Sequence, residues 1–155
     1  MQFTGREDIE APIDAVFAEI TNFTRFERGA MRHGAEVQRI DTRTGPGIGM
    51  SWQTRFNLRG RMRDVTLRLS EYDPPNGLVI EAEATTVEAV MRVDLVALSR
   101  ARTRLSVDLN VTPRTLAGRL MIQSMKLAKG NLTKRFRLRV ANYAMDVEDR
   151  HKRSA

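Results

Sequence analysis

Along most of this chain apolar and polar residues alternate, and along the last third they recur every three or four positions. The opening segment, Gln2 to Ile9, reads as a strand. In APIDAVFAEITNF, residues Ile13, Val16, Phe17 and Ile20 repeat at helical spacing and Pro12 suits a first helical position, so a short amphipathic helix follows. A second short helical piece is expected over Phe26 to Arg32, with Gly34 as its breaker. From Ala35 to Thr112 strand follows strand.

Two hairpins can be tested for register. With Arg59-Gly60 as a two-residue turn, Leu58 faces Arg61, Phe56 faces Arg63, Thr54 faces Val65 and Trp52 faces Leu67. With Thr85-Thr86 as the turn, Ala84 faces Val87, Ala82 faces Ala89, Ile80 faces Met91 and Leu78 faces Val93. In both hairpins the apolar residues of the two strands fall on one face, which a slip of one residue would undo. The next strand, TRLSVDLNV, turns Leu105, Val107, Leu109 and Val111 to that same face.

The period then changes. Thr112-Pro113 reads as a cap and first turn. Beyond it Met121, Met125, Ala128, Leu132, Phe136, Val140, Tyr143 and Val147 form one stripe of a single long helix. Gly130 inside it costs about 1 kcal/mol relative to Ala. One apolar sheet face and one helical stripe must cover each other, which gives a two-layer α+β domain over residues 1–150 and a flexible polar tail over 151–155.

The segment TRTGPGIGMSW holds Gly45, Gly47 and Gly49 at alternate positions. A phosphate-binding loop feeds its glycines into a helix N-terminus. Here the alternating strand SWQTRFNL follows instead. The glycines are therefore expected to turn a corner between strands, with a ligand role secondary.

This order of elements resembles the helix-grip fold of the START, birch-pollen-allergen and polyketide-cyclase superfamily. IEAPIDAVFAEITNF is similar to that family's strand-one exit and first helix. TGPGIGMSW is similar to its glycine-rich loop between the second and third strands, and EYDPPNGLVIEAE to its Tyr-Asp-Pro-Pro hairpin between the fourth and fifth. The likeness spans nearly the whole chain, and all three motifs are structural. NFTRFERGAMRHG departs from the pattern in lacking the Trp or Pro often found after the first helices. The resemblance implies a curved antiparallel sheet of about six to seven strands wrapped on a long C-terminal helix, with an apolar cavity between them. The wall would comprise Trp52, Phe56, Val65, Leu67, Ile80, Met91, Val93, Met121, Met125, Leu132 and Phe136. The same residues could instead pack as ordinary core. Eight methionines favour an adaptable pocket.

Arg61 and Arg63 fall on the inward face by register. A buried guanidinium needs a partner, and Arg63 is a candidate for a ligand carboxylate or phosphate. At a hairpin end it can also snorkel to solvent, which is the favoured expectation. His33 and His151 are the only histidines, there is no cysteine, and no metal-ligand spacing occurs, so neither a metal site nor a cofactor is expected. Glu81 and Glu83 point outward, and Tyr72 belongs to a structural hairpin. No pair of residues makes a convincing general acid and base.

Composition narrows the class of partner. The net charge is +7, with lysine only at Lys126, Lys129, Lys134 and Lys152, and aromatic residues make up 6%. So few aromatics leave no stacking platform for bases, and nucleic acid is disfavoured. Arg114, Arg119, Lys126, Lys129, Lys134, Arg135, Arg137 and Arg139 spread around one continuous helix, which favours ordinary solvation over an anionic membrane. No run of 18 apolar residues occurs. MQFTGREDIE has neither the basic start nor the apolar stretch of a signal peptide, and a cytoplasmic location is expected.

The function expected is binding of a small hydrophobic or amphipathic molecule: a lipid, polyketide or aromatic metabolite. The alternatives are a cyclase or dehydratase-like enzyme using the same cavity, and association with an anionic membrane or nucleic acid through the basic surface. The oligomeric state, a homodimer included, is left open. Since no metal is expected, EDTA should leave the melting temperature unchanged. A fall restored by one divalent ion would reveal a site.

Overall fold

Alternation along the strands is realised as one antiparallel sheet. The computed structural model describes residues 1–58 and 60–154. The elements run β1 (Gln2–Ile9), α1 (Ile13–Ile20), α2 (Phe23–Arg32), β2 (Glu36–Arg39), β3 (Ser51–Leu58), β4 (Arg61–Asp73), β5 (Gly77–Glu83), β6 (Val87–Ser99), β7 (Arg102–Pro113), α3 (Leu116–Leu127) and α4 (Lys129–Ser154). The sheet order is β1-β7-β6-β5-β4-β3-β2. Thus β2 to β7 form a meander, β1 joins its far side, and α1 and α2 carry the chain from one sheet edge to the other.

Both hairpins have the register expected from the coincidence of apolar faces. Trp52 pairs with Leu67, Thr54 with Val65 and Phe56 with Arg63. Leu78 pairs with Val93, Ile80 with Met91 and Ala82 with Ala89. Arg59, half of the first expected turn, lies outside the described residues. Register shifts lie between Leu69 and Glu71 in β4 and between Ala97 and Ser99 in β6. Such bulges bend a strand. The inward face joins α1 and α4 in one core, in which Ile9, Val16, Leu69 and Val147 are fully buried.

Four local expectations need correcting. The second helix begins at Phe23, capped by the Asn22 side chain, which accepts from the Arg25 amide. Thr112 and Pro113 end β7, and Thr115 caps α3 instead by accepting from the Gly118 amide at 3.1 Å. The long helix is two helices. Ala128 leaves helical geometry at φ −105°, ψ 16°, and its carbonyl then accepts from Leu132 in the first turn of α4. Gly130, a weak helix former, sits in that turn, so interrupting the helix here costs little. Finally, α4 continues to Ser154, so the polar end is helical rather than loose as far as it is described.

The break redirects the stripe. In α3 the buried residues are Gly118 and Ile122, while Met121 is 36% exposed. In α4 the expected face holds: Val140, Ala144 and Val147 are buried, with Phe136 and Tyr143 packed beside them.

Gly5 sets where α4 crosses β1. A Cβ at that position would stand 3.0 Å from Val140 Cγ2, closer than the packed helix allows. Gly5→Val should therefore overpack the contact and cost about 1–3 kcal/mol, lowering the melting temperature by several degrees. Gly45→Val, where an added Cβ meets nothing within 4 Å, should leave it nearly unchanged.

Candidate ligand-binding site

The space between sheet and helices holds a cavity of about 370 Å³. Its floor is the inward face of six strands: Val37 of β2, Trp52 and Thr54 of β3, Leu67 of β4, Leu78 and Ile80 of β5, Met91 and Val93 of β6, and Leu105 and Val107 of β7. Phe136, Arg139, Val140 and Tyr143 of α4 close one side. Ile20 and α2 close the other, α2 contributing Phe23, Phe26, Glu27 and Ala30. The α2 residues recur at i, i+3, i+4 and i+7, one face of a helix. None of the α2 residues is fully buried, so that face is committed to the cavity rather than to the core.

Trp52 anchors α2 to the sheet. It is 5% exposed, and its Nε1 donates to Glu27 Oε1 at 3.1 Å. The Phe23 ring packs against it with centroids 5.3 Å apart, and the Arg39 guanidinium lies over it at 5.5 Å. Arg39 is held in turn by Asp41. The Arg39 guanidinium, followed by the Ser51 and Arg43 amides, keeps the Asp41 carboxyl well below the usual carboxylate range.

Those Asp41 bonds also resolve the glycine-rich segment. Asp41 ties both ends of the loop, accepting from Arg43 and from Ser51. Gly49, at φ 97°, turns the chain back so that its amide donates to the Leu69 carbonyl at 2.9 Å. Strand β3, not a helix, follows the loop. It is a strand-to-strand corner, as expected.

Four polar residues reach the cavity. Thr54 Oγ1 is satisfied by the Val65 carbonyl at 2.8 Å, and Glu27 is engaged with Trp52. Arg139 is exposed at the rim. The Tyr143 ring lines the wall, but its hydroxyl is buried out of reach of the open space and has no hydrogen-bond partner among the described residues. Burial, which disfavours the phenolate, holds its ionisation well above the ordinary tyrosine range.

Of the expected wall residues, Trp52, Leu67, Ile80, Met91, Val93 and Phe136 come together here. Phe56, Arg63 and Val65 do not. They share the inward face but sit further along the β3–β4 hairpin, beyond the reach of α2 and α4. Arg63 is half-buried, and its Nε lacks a partner among the described residues. Met121, Met125 and Leu132 also lie outside the wall, because the break at Ala128 turns α3 and the start of α4 away from the cavity. Sequence reasoning missed Phe23, Phe26, Glu27, Ala30, Val37, Arg139 and Tyr143 as wall residues. The spacing of Phe23, Phe26 and Ala30 was an available signal. Away from the cavity, His33 is exposed, with Nδ1 2.8 Å from the Gly29 carbonyl, and Tyr72 packs against Phe17.

No protein-family model and no curated protein matches the sequence. In three dimensions the chain is similar to TTHA0849 from Thermus thermophilus, with a TM-score of 0.66 at 12% identity over 95% of this chain and 97% of that one. It is similar to a START superfamily protein from Mycobacterium smegmatis, at 0.56 and 11% over 86% and 95%. The Zhui aromatase/cyclase from Streptomyces sp. R1128 matches at 0.58 and 15% over 74% and 69%. At these identities the likeness establishes the fold. It is a helix-grip α+β fold, an antiparallel sheet wrapped on a long C-terminal helix.

Tyr143 gives the site a measurable signature. Its folded-state ionisation lies above that of an unfolded tyrosine, near pH 10, so the folded chain holds this proton where the unfolded chain releases it. The stability tied to the neutral phenol is complete below about pH 10 and is lost as pH rises through the folded value. Tyr143→Phe should remove that alkaline loss. At neutral pH it should be neutral or mildly stabilising, because an unpaired buried hydroxyl is exchanged for hydrogen. Denaturant melts of both proteins across the alkaline range would check this.

Proposed function

We infer that this protein binds a small molecule with an apolar body and one or two polar groups in the cavity beneath α2. The observation that carries this is the cavity itself, about 370 Å³ and walled almost entirely by apolar side chains from six strands, α1, α2 and α4. Arg139 at the rim suits an anionic or strongly polar end. A volume of about 370 Å³ falls near the lower limit of small-molecule pockets, roughly 300–1,000 Å³. That size fits a short acyl chain or a compact aromatic or polyketide-derived ring system, and is too small to enclose a two-chain lipid.

A binding role is better supported than a cyclase role. The Tyr143 hydroxyl is buried out of reach of the cavity, and its raised ionisation makes it a poor base near neutrality. Glu27, the one carboxylate on the wall, is committed to Trp52.

Trp52 is the only tryptophan and lies on the wall, so its emission reports occupancy. Titration with compact aromatic ketones and short fatty acids should shift or quench it saturably. Micromolar affinity, about −8 kcal/mol, is the expected range. Val107→Phe should weaken the response by filling the floor, and Val37→Phe provides the same test from the far edge if the first variant is unstable. A wild-type protein with no saturable response across such a panel would overturn the assignment.

A further inference from the structure

The break at Ala128 leaves a surface that neither the core nor the cavity uses. Helix α3 buries Gly118 and Ile122 on one side. At about 100° per residue, Leu116, Leu120 and Leu127 fall within about 40° of one another on the opposite side. They are 73%, 60% and 92% exposed. A row of three leucines pointing straight out from a helix is unusual for a solvated surface.

Charge around the row is one-sided. Between residues 109 and 145 there are eight basic residues and no acidic one. With 26 basic and 19 acidic residues in all, this stretch carries the whole positive excess and the remainder is close to neutral. Arg119 and Lys126 project from one flank of the leucine row, and Lys129 follows in the next turn. None of these three forms an ion pair within the protein among the described residues.

We propose that α3 docks on an anionic lipid surface, with Leu116, Leu120 and Leu127 entering the boundary between headgroups and acyl chains and Arg119, Lys126 and Lys129 meeting lipid phosphates. An amphipathic helix lying in the membrane plane needs this pairing of an apolar ridge with cationic flanks. A second copy of the chain is a poorer occupant. It would oppose the same cations with no acidic residue in the stretch to neutralise them. Nucleic acid would satisfy the cations but would leave the leucines against phosphate and water. Continuity of the helix would have spread the basic residues around one cylinder. The break instead gives α3 its own outward face. None of the described helices is long and apolar enough to cross a membrane, so the contact lies on the surface.

The test is co-sedimentation of the full chain with vesicles of phosphatidylglycerol and phosphatidylcholine, against pure phosphatidylcholine. Wild type should pellet with the anionic vesicles only, and added salt should weaken the interaction. Leu120→Gln with Leu127→Gln should reduce partitioning about tenfold or more, with melting temperature and elution volume unchanged, because both side chains are exposed. Arg119→Gln with Lys126→Gln should reduce the preference for anionic lipid. Absence of pelleting, or pelleting unaffected by the leucine pair, would overturn the proposal. So would a concentration-dependent dimer that the leucine pair abolishes, or tighter binding to duplex DNA than to the vesicles. The readout does not depend on the cavity, so failure here leaves the small-molecule assignment standing.

Discussion

A sheet of seven strands is much wider than one helix, and the structure follows from that mismatch. At about 4.8 Å between neighbouring strands the sheet is roughly 30 Å across, whereas a helix with its side chains is about 10 Å. Helix α4 can cover only part of the apolar face. Gly5 admits Val140 against β1 and so places α4 toward that edge. The remaining apolar surface, from β7 to β2, must be roofed by something else. Its roof is α1 and α2, which the sheet order obliges to pass from one edge to the other. Two short helices cover that width without filling it, and the cavity is what remains.

The roof is held differently from the core. Helix α1 is pinned by buried Val16, Phe17 and Ile20, whereas α2 has no buried residue and depends on Trp52. Phe23 packs tilted against the indole, Glu27 takes its N–H, and Arg39, itself held by Asp41, lies over the ring. One side chain thus joins the edge strand, the glycine-rich corner and the roof. Helix α2 also meets α4, where the Phe26 and Tyr143 ring centroids lie 5.9 Å apart.

The outer face of α3 is a consequence of the interruption at Ala128. The interruption separates a helix that closes the cavity from a helix that does not. It removes Met121 and Met125 from the wall, and it frees the Leu116, Leu120 and Leu127 row from any internal duty. A carrier of an apolar molecule whose surface also engages lipid has a physical logic, since such molecules partition into bilayers.

Sequence alone determined the strands, their register and the existence of two layers. The reason is that a period of two leaves no freedom: a slip of one residue would have moved Trp52, Leu67, Ile80 and Met91 to the solvent face together. It determined the corner at Gly49 because strand alternation resumes at once in SWQTRFNL. It also determined the α4 stripe from Phe136 to Val147, because Phe136, Val140, Tyr143 and Val147 are local in sequence and repeat at one period. Tertiary structure decided the rest. Whether a helix continues through Gly130 turns on a local preference of about 1 kcal/mol, which packing on either side readily overrides. Which inward residues face a void and which meet protein depends on where α2 and α4 end above the sheet, and no periodicity records that. Phe56 and Val65 share a face with Trp52 and Leu67 yet lie beyond the roof. Tyr143 looked like one more member of a core stripe, and its unpaired hydroxyl became visible only when every neighbour was in place.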